Sequence, residues 1–329
     1  MRALTFSEFG GPEVLAYREV PDPELAPGHA LVRMQAIGLN FADVLRRRGT
    51  YHLAGHPPFI AGYEGAGTIV GVGEAIGDGS TASPTVAIGD PVAFADSPFA
   101  NAELVAAPVE KLIPLPDGIS FDTAAALLLQ GLTAQYLVRD SHAVLAGEDV
   151  LVHAAAGGVG LLLVQILRRL GARVFALAST EEKRAAALAA GASFVHATAG
   201  DWAAAARDWS KTGRGVDVVY DSVGSTLDAS LEATRVGGHV VFYGMAGGDP
   251  KPVDPRRLMD GSKTLSGGDL WNVLTTRGER LQRAHELFGW VRDGSLRVRI
   301  AHRFALAEGA AAHAFLESRG GIGKILLIP

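Results

Sequence analysis

The chain reads as an α/β protein, with a doubly wound parallel sheet domain and a barrel-like β domain. Three features of the sequence predict this. Residues 1–115 carry short β patterns punctuated by glycine and proline, and from about Ser120 helical and strand patterns alternate. After about Pro255 the pattern becomes mixed again and ends on a strand at 324–328, so the β domain is expected to be completed by both chain ends. With 329 residues and 48% hydrophobic content, the chain can bury a large core in two domains.

Residues 1–6 read as a first strand, followed by β runs at 30–37, 67–72 and 91–94. Between Gly73 and Gly89 the composition is rich in Gly, Ser, Thr and Pro, which predicts an exposed loop. Five apolar runs follow at 149–154, 173–178, 193–197, 216–221 and 239–243, separated by helical segments. That alternation predicts a parallel sheet covered on both faces.

The first of these runs leads into the most informative segment, His153-Ala-Ala-Ala-Gly-Gly-Val-Gly160. A strand, a glycine turn and a helix N-terminus together form a cradle for a dinucleotide pyrophosphate. Gly157 fits the position where backbone and phosphate meet, and Gly160 fits the position where helix packs on strand. Ala155 stands where the first glycine of G-x-G-x-x-G is expected, so the motif is a variant. Val159, Leu163, Ile166, Leu167 and Leu170 recur at helical spacing, and Gly171 is placed to end the helix. Ser179 and Glu182 have the spacing of a capping box for the next helix. Gly157 to Ala178 spans the usual separation between the glycine turn and the ribose-reading position. Residues 150–167 are nearly all apolar, but Gly157-Gly158, His153 and Gln165 interrupt them. They read as a buried strand and core helix rather than a membrane span. The competing reading is a strand–helix corner without a ligand.

The net charge of −5 and the absence of basic runs argue against a nucleic-acid partner. The N-terminus shows no cationic start with an apolar stretch, and a soluble cytoplasmic protein is the simplest expectation. Cysteine is absent, which excludes disulfides, thiolate nucleophiles and cysteine zinc sites.

Six ordered segments carry a resemblance over essentially the whole chain. They are Gly10-Gly-Pro-Glu-Val-Leu15, Ala36-Ile-Gly-Leu-Asn-Phe-Ala-Asp43, Gly131-Leu-Thr133, the glycine segment 153–160, Tyr220-Asp-Ser-Val-Gly224 and Leu316-Glu-Ser-Arg319. Together they resemble the zinc-independent quinone oxidoreductase branch of the medium-chain dehydrogenase/reductase superfamily. The resemblance implies a GroES-like β-barrel catalytic domain over 1–119, completed by 258–329, and a Rossmann domain over 120–257. It further implies a cleft active site, NADPH as cofactor and a homodimer. The implied activity is hydride transfer from NADPH to a quinone, and the nearest alternative is reduction of an α,β-unsaturated ketone or aldehyde. A cofactor-binding sensor or structural protein with little turnover is the alternative of another class.

Zinc-dependent relatives use a Gly-His-Glu motif, two cysteines at the catalytic metal and a four-cysteine lobe. Here Gly62-Tyr63-Glu64 carries tyrosine in the histidine position, and Glu64 reads as a structural carboxylate. His52 and His56 have metal-like spacing, but Gly55 and Pro57 spoil a helix there, so no metal is expected. Without a strong Lewis acid, a conjugated acceptor that spreads its negative charge fits better than an alcohol.

The resemblance places Asn40, Asp43 and Tyr51 at the reacting end. Asn40 is a candidate donor to the acceptor oxygen and also a helix cap, Asp43 a holder of the neighbouring loop, and Tyr51 a donor or an apolar wall. For the cofactor it implies Asn40, Thr133, Ala156, Gly157, Gly158, Val159, Gly160, Ser179, Lys183, Ser222, Phe242, Tyr243, Gly244 and Arg319. The end of the second strand of the alternating half, Leu177-Ala178-Ser179-Thr180, lacks the acid that NAD prefers, while Ser179, Lys183 and Arg319 suit a 2′-phosphate. Thr198 replaces a tyrosine often found in the family beside the adenosine. His153 is expected to pack at a strand end, and Leu270 and Trp271 are candidates for an apolar substrate wall.

Overall fold

Alternation of buried and exposed residues sets the longest strand of the first unit. In the computed structural model, which describes residues 1–74 and 86–329, Ala30, Val32, Met34 and Ala36 face inward. Arg33 and Gln35 face outward between them, as a period of two requires. The stretch 75–85, part of the expected loop, lies outside the described residues.

This first unit comprises Met1–Leu129 and Leu274–Pro329. It begins with β1 (Arg2–Phe6), β2 (Ala16–Glu19), β3 (His29–Leu39), β4 (Phe59–Ile60), β5 (Glu64–Val72), β6 (Pro91–Ala95), β7 (Leu104–Pro108) and β8 (Ile113–Pro114). Helix α1 (Phe41–Arg47) follows β3 directly, and α2 (Phe121–Tyr136) ends the N-terminal part. The second unit, Gln130–Val273, supplies β9 (Asp149–Val152), β10 (Arg173–Leu177), β11 (Phe194–His196), β12 (Val216–Asp221), β13 (Thr234–Phe242) and β14 (Thr264–Gly267). The chain then returns to the first unit with β15 (Ile300–Ala305) and β16 (Lys324–Ile328).

In the first unit β2, β1 and β4 form a small antiparallel sheet. The larger sheet runs β15-β16-β3-β5-β6-β8, with β7 also pairing to β3. Its core is built from Leu4, Val32, Ile37, Leu39, Ile69, Phe94, Leu112 and Leu327, among others. Strand β3 is central because three strands pair with it: β5 lies on one side, with β7 and the last strand β16 on the other.

The second unit holds a six-stranded sheet in the order β11-β10-β9-β12-β13-β14, with every neighbouring pair parallel. Numbered from β9, this is the 3-2-1-4-5-6 order of the dinucleotide-binding fold. Its direction reverses between β9 and β12, where such sheets bind ligands beyond the strand ends. Helix α3 (Gly158–Arg169) follows β9, and α4 (Glu181–Ala190) follows β10. The sixth strand, β14, does not stand out in the sequence because Thr264-Leu-Ser-Gly267 is short and half polar. The two units change over at 129/130 and 273/274, beyond the 119/120 and 257/258 positions that the resemblance implies. Helix α2 runs across the first changeover, and pairing of β14 with β13 carries the sheet past 258. Among the described residues no helix is long and apolar enough to cross a membrane.

Candidate active site

The glycine segment sits at the switch point of the parallel sheet. Ala155 N–H donates to the Leu177 carbonyl at 3.0 Å, and Gly157, extended at φ −73° and ψ 176°, caps the N-terminus of α3. Its glycines do different work. A Cβ on Gly160 would collide with the Ala154 carbonyl and the Ala155 backbone, so this glycine lets helix and strand close-pack. A Cβ on Gly158 would enter the space of the Gln130 carboxamide. A Cβ on Gly157 meets only the Ala154 carbonyl, at 3.1 Å. Position 157 is less crowded by the protein than 158 or 160, and the first turn of α3 carries no acidic residue. This is the layout that accepts an anionic pyrophosphate against free helix N–H groups.

The other strand ends of this sheet converge on the same edge. Ala156 is buried, and Val159 is half-buried in the first turn of α3. Ser222 follows β12, while Phe242, Tyr243 and Gly244 end or follow β13. Tyr243 N–H donates to the Asp221 carbonyl at 2.9 Å, Ala246 N–H donates to the Ser222 carbonyl at 3.0 Å, and Gly244 lies against Ser222. Burial pushes the Tyr243 phenol well above its ordinary pKa, so it stays protonated. Thr133 is buried in α2, within the same unit.

At the end of β10, Ser179 is exposed and Lys183 half-buried. The cap of α4 is Thr180, whose Oγ1 accepts from Lys183 N–H at 3.3 Å, rather than the expected pair of Ser179 and Glu182. Strand β10 stops at Leu177 and α4 starts at Glu181, which moves the cap one residue along. Sequence reasoning missed Arg184. Its guanidinium donates to the Ala178 and Ser179 carbonyls at 3.4 and 3.3 Å, fixing a cation beside the strand end. Arg319 belongs to the first unit, exposed beyond the helix Gly309–Glu317 with φ at 57°.

His153 packs as expected of a strand-end residue. It is buried against the edge of Trp202, with Nε2 2.9 Å from Ser230 Oγ. Burial lowers its pKa, countered by Asp221 nearby. For Asp221, burial alone would raise the carboxyl. The His153 charge together with donors from Ser230, Gly224 and Val223 outweighs it and holds the pKa below the usual range.

In the first unit, Asn40 occupies the N-cap position of α1, and its backbone N–H donates to Asp43 Oδ2 at 2.9 Å. Asn40 therefore starts the helix, in a capping box with Asp43. The carboxamide oxygen accepts from Lys324 Nζ at 2.7 Å, and Nδ2 donates to Glu64 Oε2 at 2.8 Å. Asp43 also pairs with Arg46 at 3.1 Å. Burial raises the Asp43 carboxyl, opposed by Arg46 and the Asn40 amide. The Arg46 guanidinium lies 3.6 Å from the Tyr63 ring centroid and 5.0 Å from that of Tyr51. Tyr51 is half-buried and its ring rests 4.0 Å from His52.

This arrangement decides the metal question chemically. Tyr63 in the histidine position faces a guanidinium, and its hydroxyl accepts from Ala54 N–H at 2.8 Å. Glu64 is saturated by Lys324 at 2.6 Å, by Asn40 and by Leu129 N–H at 2.7 Å. Two fixed cations and no thiolate make a poor seat for zinc. Among the described residues no group of three or more His, Asp or Glu side chains is placed to hold a metal ion.

Family comparisons agree with this geometry. Residues 26–149 match the alcohol dehydrogenase GroES-like domain, and 158–286 match the zinc-binding dehydrogenase domain. A quinone oxidoreductase of Pseudomonas aeruginosa is 38% identical, covering 100% of this chain and 99% of the relative. A 2-haloacrylate reductase of Burkholderia sp is 37% identical over 99% of this chain and 98% of its own. The Escherichia coli quinone oxidoreductase complexed with NADPH superposes with a TM-score of 0.94 at 34% identity, covering 100% of both chains. The glycine cradle, the two-unit fold and the cation-filled, cysteine-free position of the metal site make this chain a member of the zinc-independent quinone oxidoreductase branch of the medium-chain dehydrogenase/reductase superfamily.

Proposed function

We propose that the protein is an NADPH-dependent, zinc-independent oxidoreductase that reduces quinones to quinols. One observation carries the reading furthest. At the edge of the parallel sheet only the Ala154 carbonyl crowds Gly157, and the end of β10 offers Ser179, Lys183 and Arg184 but no acid among residues 177–180. That combination suits a pyrophosphate together with a 2′-phosphate. NADPH, when bound, supplies the hydride.

The protein's own residues bind, orient and insulate. Ala156, Gly157, Gly158, Val159 and Gly160 present backbone to the pyrophosphate. Ser179, Lys183 and Arg319 are assigned to the 2′-phosphate. Thr133, Ser222, Phe242, Tyr243 and Gly244 are assigned to the remainder of the cofactor. Asn40, Asp43 and Tyr51 form the reacting end, where Arg46 and Tyr63 hold Tyr51 and Asp43 in place. A quinone spreads the incoming charge over its ring, so orientation and one or two donors suffice without a Lewis acid.

A second acceptor class is supported by the 37% identity to a 2-haloacrylate reductase, whose substrate is a conjugated olefin. Both reactions place hydride on a conjugated acceptor. The same reading takes the protein to be a cytoplasmic homodimer, as the family resemblance implies. An acceptor panel with purified protein, following NADPH absorbance, tests the proposal: quinones are expected to exceed enones and enals. NADPH binding without turnover on any of them would support a sensor instead.

A further inference from the structure

Lys324 leads the apolar terminal strand Lys-Ile-Leu-Leu-Ile, yet only 1% of its surface is exposed. A buried ammonium is costly unless paired and hydrogen-bonded. Strand register explains how it is paired. β16 meets β3 as Leu327↔Ile37, Leu326↔Gly38 and Ile325↔Leu39, so one step further sets Lys324 opposite Asn40. β5 meets β3 as Gly65↔Ile37, so one step further sets Glu64 opposite Gly38. A Cβ on Gly38 would strike the Glu64 carboxylate and the Ala125 carbonyl. The missing side chain lets Glu64 reach across β3.

The result is a closed ring of three side chains. Lys324 Nζ donates to Glu64 Oε2 at 2.6 Å and to Asn40 Oδ1 at 2.7 Å, and Asn40 Nδ2 donates to Glu64 Oε2 at 2.8 Å. An ammonium only donates and a carboxylate only accepts, so a single orientation of the Asn40 amide satisfies both. The ammonium on Oδ1 also polarises the amide and strengthens its N–H donors. Because the two charges offset each other, the ring adds no net charge beside the amide. The second Nδ2 hydrogen rests on the Gly38 carbonyl at 3.3 Å, the longest of these contacts. It is the one a bound group can most readily claim.

We propose that Lys324 and Glu64 are positioning residues that fix and polarise the Asn40 carboxamide for cofactor and acceptor. This rests on the reading of Asn40 as a residue of the reacting end. Lys324→Met alone strands a buried carboxylate and risks misfolding, so the informative variant is the neutral pair Glu64→Gln/Lys324→Met, which keeps the volume. It is compared with Asn40→Ala and with all three changes together. The readouts are melting temperature, NADPH dissociation constant by fluorescence, and kcat and KM for a quinone.

The neutral pair is expected to melt close to the parent. Its kcat should fall by about tenfold or more, the scale of one charge-assisted hydrogen bond. NADPH binding should weaken by the same factor in the neutral pair as in Asn40→Ala. Adding Asn40→Ala to the neutral pair should cost little more, because the ordered amide is already lost. Parental kcat and NADPH affinity in the folded neutral pair would overturn the proposal, as would losses that multiply with Asn40→Ala. If the parent reduces neither quinone nor enone, the acceptor assignment fails, and the NADPH-affinity cycle still decides the role of the ring.

Discussion

Among single residues, two glycines of one motif are assigned opposite roles. Gly160 is required by the protein, because any side chain there collides with backbone. Gly157 is the residue we assign to the ligand, because a Cβ there meets the Ala154 carbonyl alone. Gly157→Val is therefore expected to fold and to lose NADPH binding almost entirely, whereas Gly160→Val should lose the fold of the second unit. Circular dichroism and calorimetric titration of both variants check this, and unchanged NADPH affinity in folded Gly157→Val would displace the phosphate assignment. The cations carry a separate prediction. Lys183→Ala and Arg319→Ala should each weaken NADPH by roughly ten- to a hundredfold while leaving NADH nearly unchanged, the scale of a charge-assisted hydrogen bond at about 1.5–3 kcal/mol. The difference should shrink at high salt. Dissociation constants for both cofactors decide it, and equal losses would give these residues a role in the fold alone.

The glycine spacing was legible in the sequence because its meaning is local. Lys324 was not, because its partner Asn40 lies 284 positions away and only the β16–β3 register joins them. A charged residue opening an otherwise apolar strand was the available signal. Arg184 was hidden in the same way, since a solvated helix cation and one folded back on strand carbonyls look alike in sequence.

Between elements, α1 and the helix Gly309–Glu317 are joined through a buried cation. Arg47 is fully buried, pairs with Glu317, donates to the Gly10 carbonyl at 3.2 Å and faces His313 Nδ1 at 3.5 Å. Burial, reinforced by the Arg47 charge, pushes the His313 imidazole down to about 3. The unfolded chain takes up a proton at His313 near pH 6.5, whereas the folded protein resists it until about pH 3. Stability contributed by the neutral ring is thus complete above pH 6.5 and declines as pH falls below it, by about 1.4 kcal/mol per pH unit. Urea midpoints should drop between pH 7 and pH 5. A His313→Gln variant should show a slope smaller by one proton, and identical slopes would contradict the buried neutral histidine. Long, periodic elements such as β3, α3 and β12 were readable from the sequence. Strand β14 was not, because four residues with one apolar side chain form a strand only when β13 offers its edge.

For the whole molecule, the sequence showed two kinds of pattern in the right order, and the 3-2-1-4-5-6 sheet order puts the change of direction between β9 and β12. The protein moves hydride to a conjugated acceptor without a metal. In its place the first unit holds Arg46 over Tyr63 and Lys324 on Glu64. The most direct measurement is NADPH-dependent quinone reduction by protein stripped with a chelator, with metal content determined on the same sample. Less than stoichiometric zinc before treatment and an unchanged rate after it are expected. Stoichiometric zinc whose removal abolishes turnover and whose return restores it would overturn the metal-free assignment.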